Sequence, residues 1–184
     1  MTLFVDGSSR KNPDGTNATG YAVVTQDEIL EARPLPKHYS AQVAELVALT
    51  RACIITKGKS VTIYTDSQYA FSTVHVFAQQ WKNRGMVTSS GKPISHTDFI
   101  LELLDAIQLP KELAICKCQA HTKHTDPISE GNKRADEAAK IAAQETHQIM
   151  TELEIIEIDH TVLTDMQQNA PPGEKQYWKT KVAH

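Results

Sequence analysis

Two runs of β-branched and apolar residues in this chain each lead into an aspartate. Thr2-Leu-Phe-Val precedes Asp6, and Ser60-Val-Thr-Ile-Tyr-Thr precedes Asp66. A strand apolar on both sides is buried on both faces, which requires a sheet covered by helices. In an open sheet of this kind, sites form in the crevice beyond the strand ends. An aspartate in that position is read as the last residue of its strand, and two such strands side by side bring their carboxylates within a few ångströms.

The rest of the chain fits the same architecture. Residues 2–6, 20–25 and 29–33 read as three consecutive antiparallel strands, with Pro34 and Pro36 breaking the pattern. Ser40 is a good N-cap for a helix whose apolar face includes Val43, Val47 and Ile54, and Gly58 ends it. After the strand at 60–66, a helical stretch runs from Ser67 to about Trp81, followed by a polar segment over 82–92. Ser95-His-Thr-Asp98 fits a capping box before a helix at 99–107. A fifth strand at 113–118 and an alanine-rich helix at 135–143 complete the series. The order βββ-α-β-α-α-β-α predicts an α/β fold: a five-stranded mixed sheet, three strands antiparallel and the others parallel, flanked by helices.

Composition excludes several classes. Hydrophobic residues make up 40% of the 184, enough to bury a core. No apolar run approaches the ~18 residues of a membrane span, and no basic-then-apolar leader opens the chain. No membrane partner is expected. Three cysteines suit a reducing, intracellular compartment better than a disulfide framework, with cytoplasm and nucleus not distinguished. Net charge is −3, but it is unevenly spread. Residues 1–143 carry 16 Lys+Arg against 15 Asp+Glu, and residues 144–184 carry 3 against 7. The body is near neutral and the tail acidic.

Four acids sit where a core should be apolar: Asp6, Glu45 between Ala44 and Leu46, Asp66, and Asp136 beside Ala135, at the start of the last predicted helix. Any one of them alone reads as a solvated charge or a cap. As a set they read as ligands, because clustered carboxylates repel one another unless a cation neutralises them. Mg²⁺ takes oxygen ligands and suits carboxylates together with a substrate phosphate. Two such ions about 3.5–4 Å apart serve an in-line phosphoryl displacement.

Taken in order, Phe4-Val-Asp-Gly-Ser-Ser9, Ala41-Gln-Val-Ala-Glu-Leu46, Tyr64-Thr-Asp-Ser-Gln-Tyr69 and Gly131-Asn-Lys-Arg-Ala-Asp136 resemble the four acidic motifs of ribonuclease H. They look most like the ribonuclease H domain of gammaretrovirus-type reverse transcriptases, of viral or endogenous origin. The resemblance covers roughly residues 2–143. It implies a ribonuclease H-like fold and an endonuclease that hydrolyses the RNA strand of RNA–DNA hybrids, leaving 3′-OH and 5′-phosphate ends. It implies Asp6, Glu45, Asp66 and Asp136 as catalytic metal ligands for two Mg²⁺ ions, with Mn²⁺ able to substitute. His121 matches the family's mobile histidine, and His124 is a poorer match. Gln42 and Gln68 match positions that contact the hybrid, and Ser40 and Arg84 positions that hold a DNA-strand phosphate. Ser8, Ser67 and Asn132 are short polar groups near the acids, suited to reading a 2′-OH. The stretch Trp81-Lys-Asn-Arg-Gly85 resembles a basic handle in which Lys82 and Arg84 meet phosphates; Trp81 itself is read as a packing residue. The partners implied are the hybrid and a polymerase domain in a parent polyprotein, with a virion location if the source is viral.

Three other readings compete. Cys116, Cys118, His121 and His124 offer four ligands for zinc, at a spacing unlike common fingers. A non-catalytic hybrid-binding or interaction module derived from a retroelement would be expected to lack at least one acid, and none is lacking. A transposase or integrase core would carry its acids in another order. Residues 144–184 are read as a weakly ordered appendage, separate from a domain at 1–143. Its Asp159-His-Thr-Val-Leu-Thr-Asp and Glu174-Lys-Gln-Tyr-Trp178 stretches resemble the start of an integrase region.

Overall fold

The computed structural model describes residues 1–155 of the 184, with side chains described through Glu145. The integrase-like stretches lie outside the described residues. Residues Met1–His147 form one unit, and Gln148–His184 a second, of which only the end of the last helix is described.

Three strands open the fold: β1 (Thr2–Lys11), β2 (Asn17–Val24) and β3 (Ile29–Leu35). Then come α1 (Ala41–Ile55) and β4 (Ser60–Thr65). A continuous helical segment follows, made of α2 (Gln68–Ser72), a π-helical turn (Thr73–Phe77) and α3 (Ala78–Asn83). The unit closes with α4 (Thr97–Ala106), β5 (Glu112–Lys117) and α5 (Pro127–Ile155). The strands form one sheet in the order β3-β2-β1-β4-β5. The β1–β2 and β2–β3 pairs are antiparallel, and the β1–β4 and β4–β5 pairs are parallel. This is the mixed five-stranded sheet the sequence predicts.

Strand alternation sends alternate residues to two covers. Leu3, Val5, Val23 and Ile63 join Leu46 and Leu49 of α1 and Ile100 and Leu103 of α4 in the main core. Phe4, Ala22 and Val24 pack on Ala135, Ala138 and Ala139 of α5. The alanines let α5 lie close to the sheet: a Cβ on Gly20 would fall 2.6 Å from the backbone nitrogen of Ala143. Arg51 of α1 donates to both carboxylate oxygens of Glu31 on β3, at 2.8 and 3.0 Å, and so ties the outer strand to the helix.

Several local expectations are corrected. Asp6 does not end β1, which continues to Lys11 because β2 pairs with it over that whole length. What ends at Asp6 is the pairing with β4, whose last matched pair is Val5 with Thr65. Pro34 does not break β3, since an edge strand tolerates a residue without an N–H. The capping box at Ser95 does not form. His96 caps α4 from a left-handed backbone, φ 63°, with no side-chain hydrogen bond. The last helix begins at Pro127, so Asp136 lies in its third turn rather than at its start. Asp126 caps it, accepting from the Ser129 N–H at 3.0 Å, and proline suits the first helical position. Trp81 packs as expected, half-buried against the main core and stacked on Phe77 with ring centres 5.1 Å apart.

Gly7 sits where β1 crosses α1. A Cβ there would lie 2.5 Å from the carbonyl carbon of Ala44 and 2.5 Å from the nitrogen of Glu45. Backbone cannot move aside as a side-chain tip can, so Gly7→Ala is expected to destabilise the domain by about 1–3 kcal/mol or more. Urea unfolding of the variant beside the parent checks this.

Candidate active site

The end of the β1–β4 ladder places Asp6 and Asp66 side by side, one on a strand that continues and one in the turn into α2. Glu45 reaches them from α1, which Ser40 starts by accepting from the Val43 N–H at 3.2 Å. One carboxylate oxygen from each of Asp6, Glu45 and Asp66 lies within 4.8 Å of the others. Asp6 is buried, and Glu45 Oε2 and Asn132 Oδ1 are buried polar atoms without a hydrogen-bond partner. Asn132 donates through Nδ2 to Asp66 Oδ2 at 2.9 Å, and the Gly7 N–H donates to Glu45.

Burial, with the charges of Asp66 and Asp136 behind it, pushes the Asp6 carboxyl from 3.8 to about 8. Burial and then the charges of Asp6 and Asp66 push Glu45 up as well. Both carboxyls are thus held toward their neutral forms, burial being the larger cause for each. Three convergent carboxylates, of which Asp6 and Glu45 are raised by confinement and Glu45 also has an orphaned oxygen, fit a divalent cation with oxygen ligands.

Asp136 is close enough to act on Asp6 electrostatically but stands outside the three-oxygen group. Its Oδ2 accepts from Lys140 Nζ at 2.6 Å. His121 has a left-handed backbone, φ 51°, is exposed, and lines a concavity of about 270 Å³ with Asn132, Asp136 and Lys140. Lys140 is not among the residues the sequence singles out. Its signal is the four-residue spacing from Asp136, which places the two side chains together on one helix face.

The other candidates are distributed around this centre. Ser8 is buried on β1. Ser67 caps α2, accepting from the Ala70 N–H at 3.1 Å, and Gln68 donates to Ser72 at 2.6 Å. Gln42 is exposed in the first turn of α1. Lys82 on α3 and Arg84 at its C-cap are exposed, followed by Gly85 and Met86 with φ of 73° and 62°. Cys116, Cys118, His121 and His124 are not brought together; among the described residues the acids form the one metal-type cluster.

The RNase H family model matches residues 1–144. The chain belongs to the RNase H family. It is similar to the Gag-Pol polyprotein of feline leukemia virus, 47% identical over 159 residues, covering 85% of this chain and 9% of that protein. With the Gag-Pol polyprotein of avian reticuloendotheliosis virus it shares 51% identity over 142 residues, 77% of this chain and 12% of that one. The chain thus spans about a tenth of the length of these relatives. The match to the baboon endogenous virus Gag-Pol polyprotein, 43% identical, covers 92% of the chain and 10% of the relative. That match therefore runs past residue 144. Among solved structures, the foamy virus RNase H domain superposes with a TM-score of 0.63 at 26% identity, over 78% of this chain and 93% of that one. A foamy viral protease-reverse transcriptase in complex with RNA/DNA hybrid gives 0.64 at 26% identity, over 77% of this chain and 20% of that one. The resemblance drawn from the four acidic motifs is thereby borne out as to family and fold. No helix among the described residues is long and apolar enough to cross a membrane.

In this RNase H domain the raised Asp6 carboxyl couples stability to pH. The folded value of about 8 lies above the ordinary 3.8 of the unfolded chain. Its contribution to metal-free stability is therefore fully present below about pH 4 and is lost as pH rises through about 8. Asp6→Asn is expected to match the parent at pH 4 and to exceed it at pH 9 by on the order of a few kcal/mol. Chemical denaturation in chelator at both pH values measures the difference.

Proposed function

We propose that the chain is a divalent-metal-dependent endonuclease that hydrolyses the RNA strand of RNA–DNA hybrids. The observation that carries the reading is the convergence of Asp6, Glu45 and Asp66 within 4.8 Å, on a family scaffold, with Asp136 beside them. These four acids would hold two Mg²⁺ ions, or Mn²⁺. When bound, such ions supply an activated water and neutralise charge developing on the phosphate. Water adds to phosphorus, the bond to the 3′ oxygen breaks, and the ends are 3′-OH and 5′-phosphate. His121, exposed on its loop and lining one concavity with Asp136, would pass a proton to the departing 3′ oxygen or aid product release.

Substrate reading falls to groups around the cluster. Ser8, Gln42, Ser67, Gln68 and Asn132 face the RNA strand, where the 2′-OH separates RNA from DNA. Ser67, Gln68 and Asn132 already hold one bond each within the protein, so each is oriented before substrate arrives. Ser40, Lys82 and Arg84 take backbone phosphates. Residues 1–143 form the nuclease and residues 144–184 the linker and the start of the next polyprotein segment; the relative that matches 92% of the chain supports this continuity. The natural setting is a viral or endogenous retroviral polyprotein with a polymerase domain, acting in infected cells or in the virion.

Asp66→Asn keeps the shape and removes a charged ligand. Cleavage of labelled hybrid should fall by orders of magnitude in Mg²⁺, while circular dichroism stays that of the parent. Undiminished cleavage in that variant, or in excess chelator, would falsify the reading. Duplex DNA and duplex RNA, run in parallel, should remain uncut.

The basic handle makes a separate prediction. Lys82→Ala with Arg84→Ala should weaken hybrid binding and flatten the slope of log affinity against log salt by roughly 1.5, because fewer counterions are released. Fluorescence anisotropy across a salt series reads both quantities, and the turnover rate at saturating hybrid should change far less.

A further inference from the structure

The face of α5 turned toward the acids repeats every fourth residue: Asn132, Asp136, Lys140. Asn132 gives a neutral amide donor to Asp66 at 2.9 Å. Lys140 gives a full positive charge to Asp136, at 2.6 Å. The two sides of the site are therefore built differently. The Asp6–Glu45–Asp66 side receives N–H donors from the Asn132 amide and the Gly7 backbone. The Asp136 side receives an ammonium whose side chain is only 32% exposed, against a carboxylate only 21% exposed. An ion pair so placed is less screened than one on the open surface. It also occupies an oxygen that Asp136 would offer to a cation. The ammonium acts beyond its partner, since its charge opposes the upward push on Asp6.

We propose that Lys140 is an internal counter-cation that must yield Asp136 before a divalent ion is held there, and so sets how tightly that side of the site takes metal without substrate. The proposal rests on the reading of the four acids as cation ligands. Lys140 is a positioning residue in this account: it acts through Asp136. The concavity it lines with His121 and Asn132 keeps the released ammonium at the site. There a substrate phosphate offers it a replacement anion, which makes filling of the Asp136 side favour the substrate-bound enzyme.

The test is calorimetric titration of the full chain with Mn²⁺ in the absence of nucleic acid, for the parent, Lys140→Met and Lys140→Arg. Lys140→Met removes the charge and keeps the length. It should bind Mn²⁺ roughly three- to tenfold more tightly, as loss of a partly buried ion pair allows. Its metal-free melting temperature should fall, because Asp136 loses its partner. Lys140→Arg restores the charge and should return both readouts toward the parent. An unchanged or weakened Mn²⁺ affinity in Lys140→Met overturns the inference. If that variant misfolds by circular dichroism, Lys140→Gln is held to the same criterion. Failure of the parent to bind Mn²⁺ at all would instead overturn the nuclease reading and this inference with it. Binding by the parent with no change in the variant sinks the inference alone.

Discussion

Mutual repulsion among carboxylates is the constraint around which the rest of this fold is arranged. Three acidic side chains converge within 4.8 Å in a place where one of them is 5% exposed. Nothing in their own interaction favours that arrangement when all are ionised. The covalent frame and the packing enforce it. Asp6 is one residue past a fully buried run, Leu3, Phe4 and Val5, and cannot retreat without unpacking both faces of the sheet. Glu45 is flanked by buried Ala44 and Leu46, so its backbone is fixed by the α1 interface. The energy of the two cores is thus spent in part on holding like charges together, and a cation returns some of it.

The close approach that makes this possible depends on small residues at defined crossings. Gly7 lets β1 touch α1 next to Glu45, and Gly20 with the alanines of α5 lets the helix lie on the opposite face. Gly131 does the same against the ring of Phe4, one residue before Asn132. A side chain at either of the outer crossings would lift a helix that carries an acid. The separation between carboxylates would then change with it. In this sense backbone packing and site chemistry are one constraint seen at two scales.

Much of this was legible in the sequence, for physical reasons that also explain the gaps. The strand before Asp6 announces itself because burial on both faces demands continuous apolar character, and the one before Asp66 by its branched residues, with Val61, Ile63 and Thr65 buried and Thr62 and Tyr64 half-buried. Ser40 and Ser67 are visible as caps because the chemistry of capping is local. The extension of β1 to Lys11 was not legible, since it depends on pairing with β2 and the residues involved, Gly7 through Lys11, are polar or small. The start of α5 had a local signal, Asp126 followed by Pro127, but the polar first turns obscured the helical period. His96 caps α4 from a left-handed backbone with no side-chain hydrogen bond, so no capping pattern in the sequence announces it.

The register of α5 decides more than its length does. Because the helix starts at Asp126-Pro127, Asn132, Asp136 and Lys140 fall one turn apart and face the strand ends together. Had it started near Ala135, Asn132 would have lain in a loop and Asp66 would have lacked its fixed donor. The near-neutral charge of residues 1–143 then takes on meaning. A body whose 16 Lys+Arg exceed its 15 Asp+Glu by only one attracts a polyanion weakly, so binding must come from local groups such as Lys82 and Arg84 and from cations held by the acids. Loading of the acid cluster therefore changes attraction for the substrate as well as the chemistry. An ammonium that occupies one acid in advance acts on both.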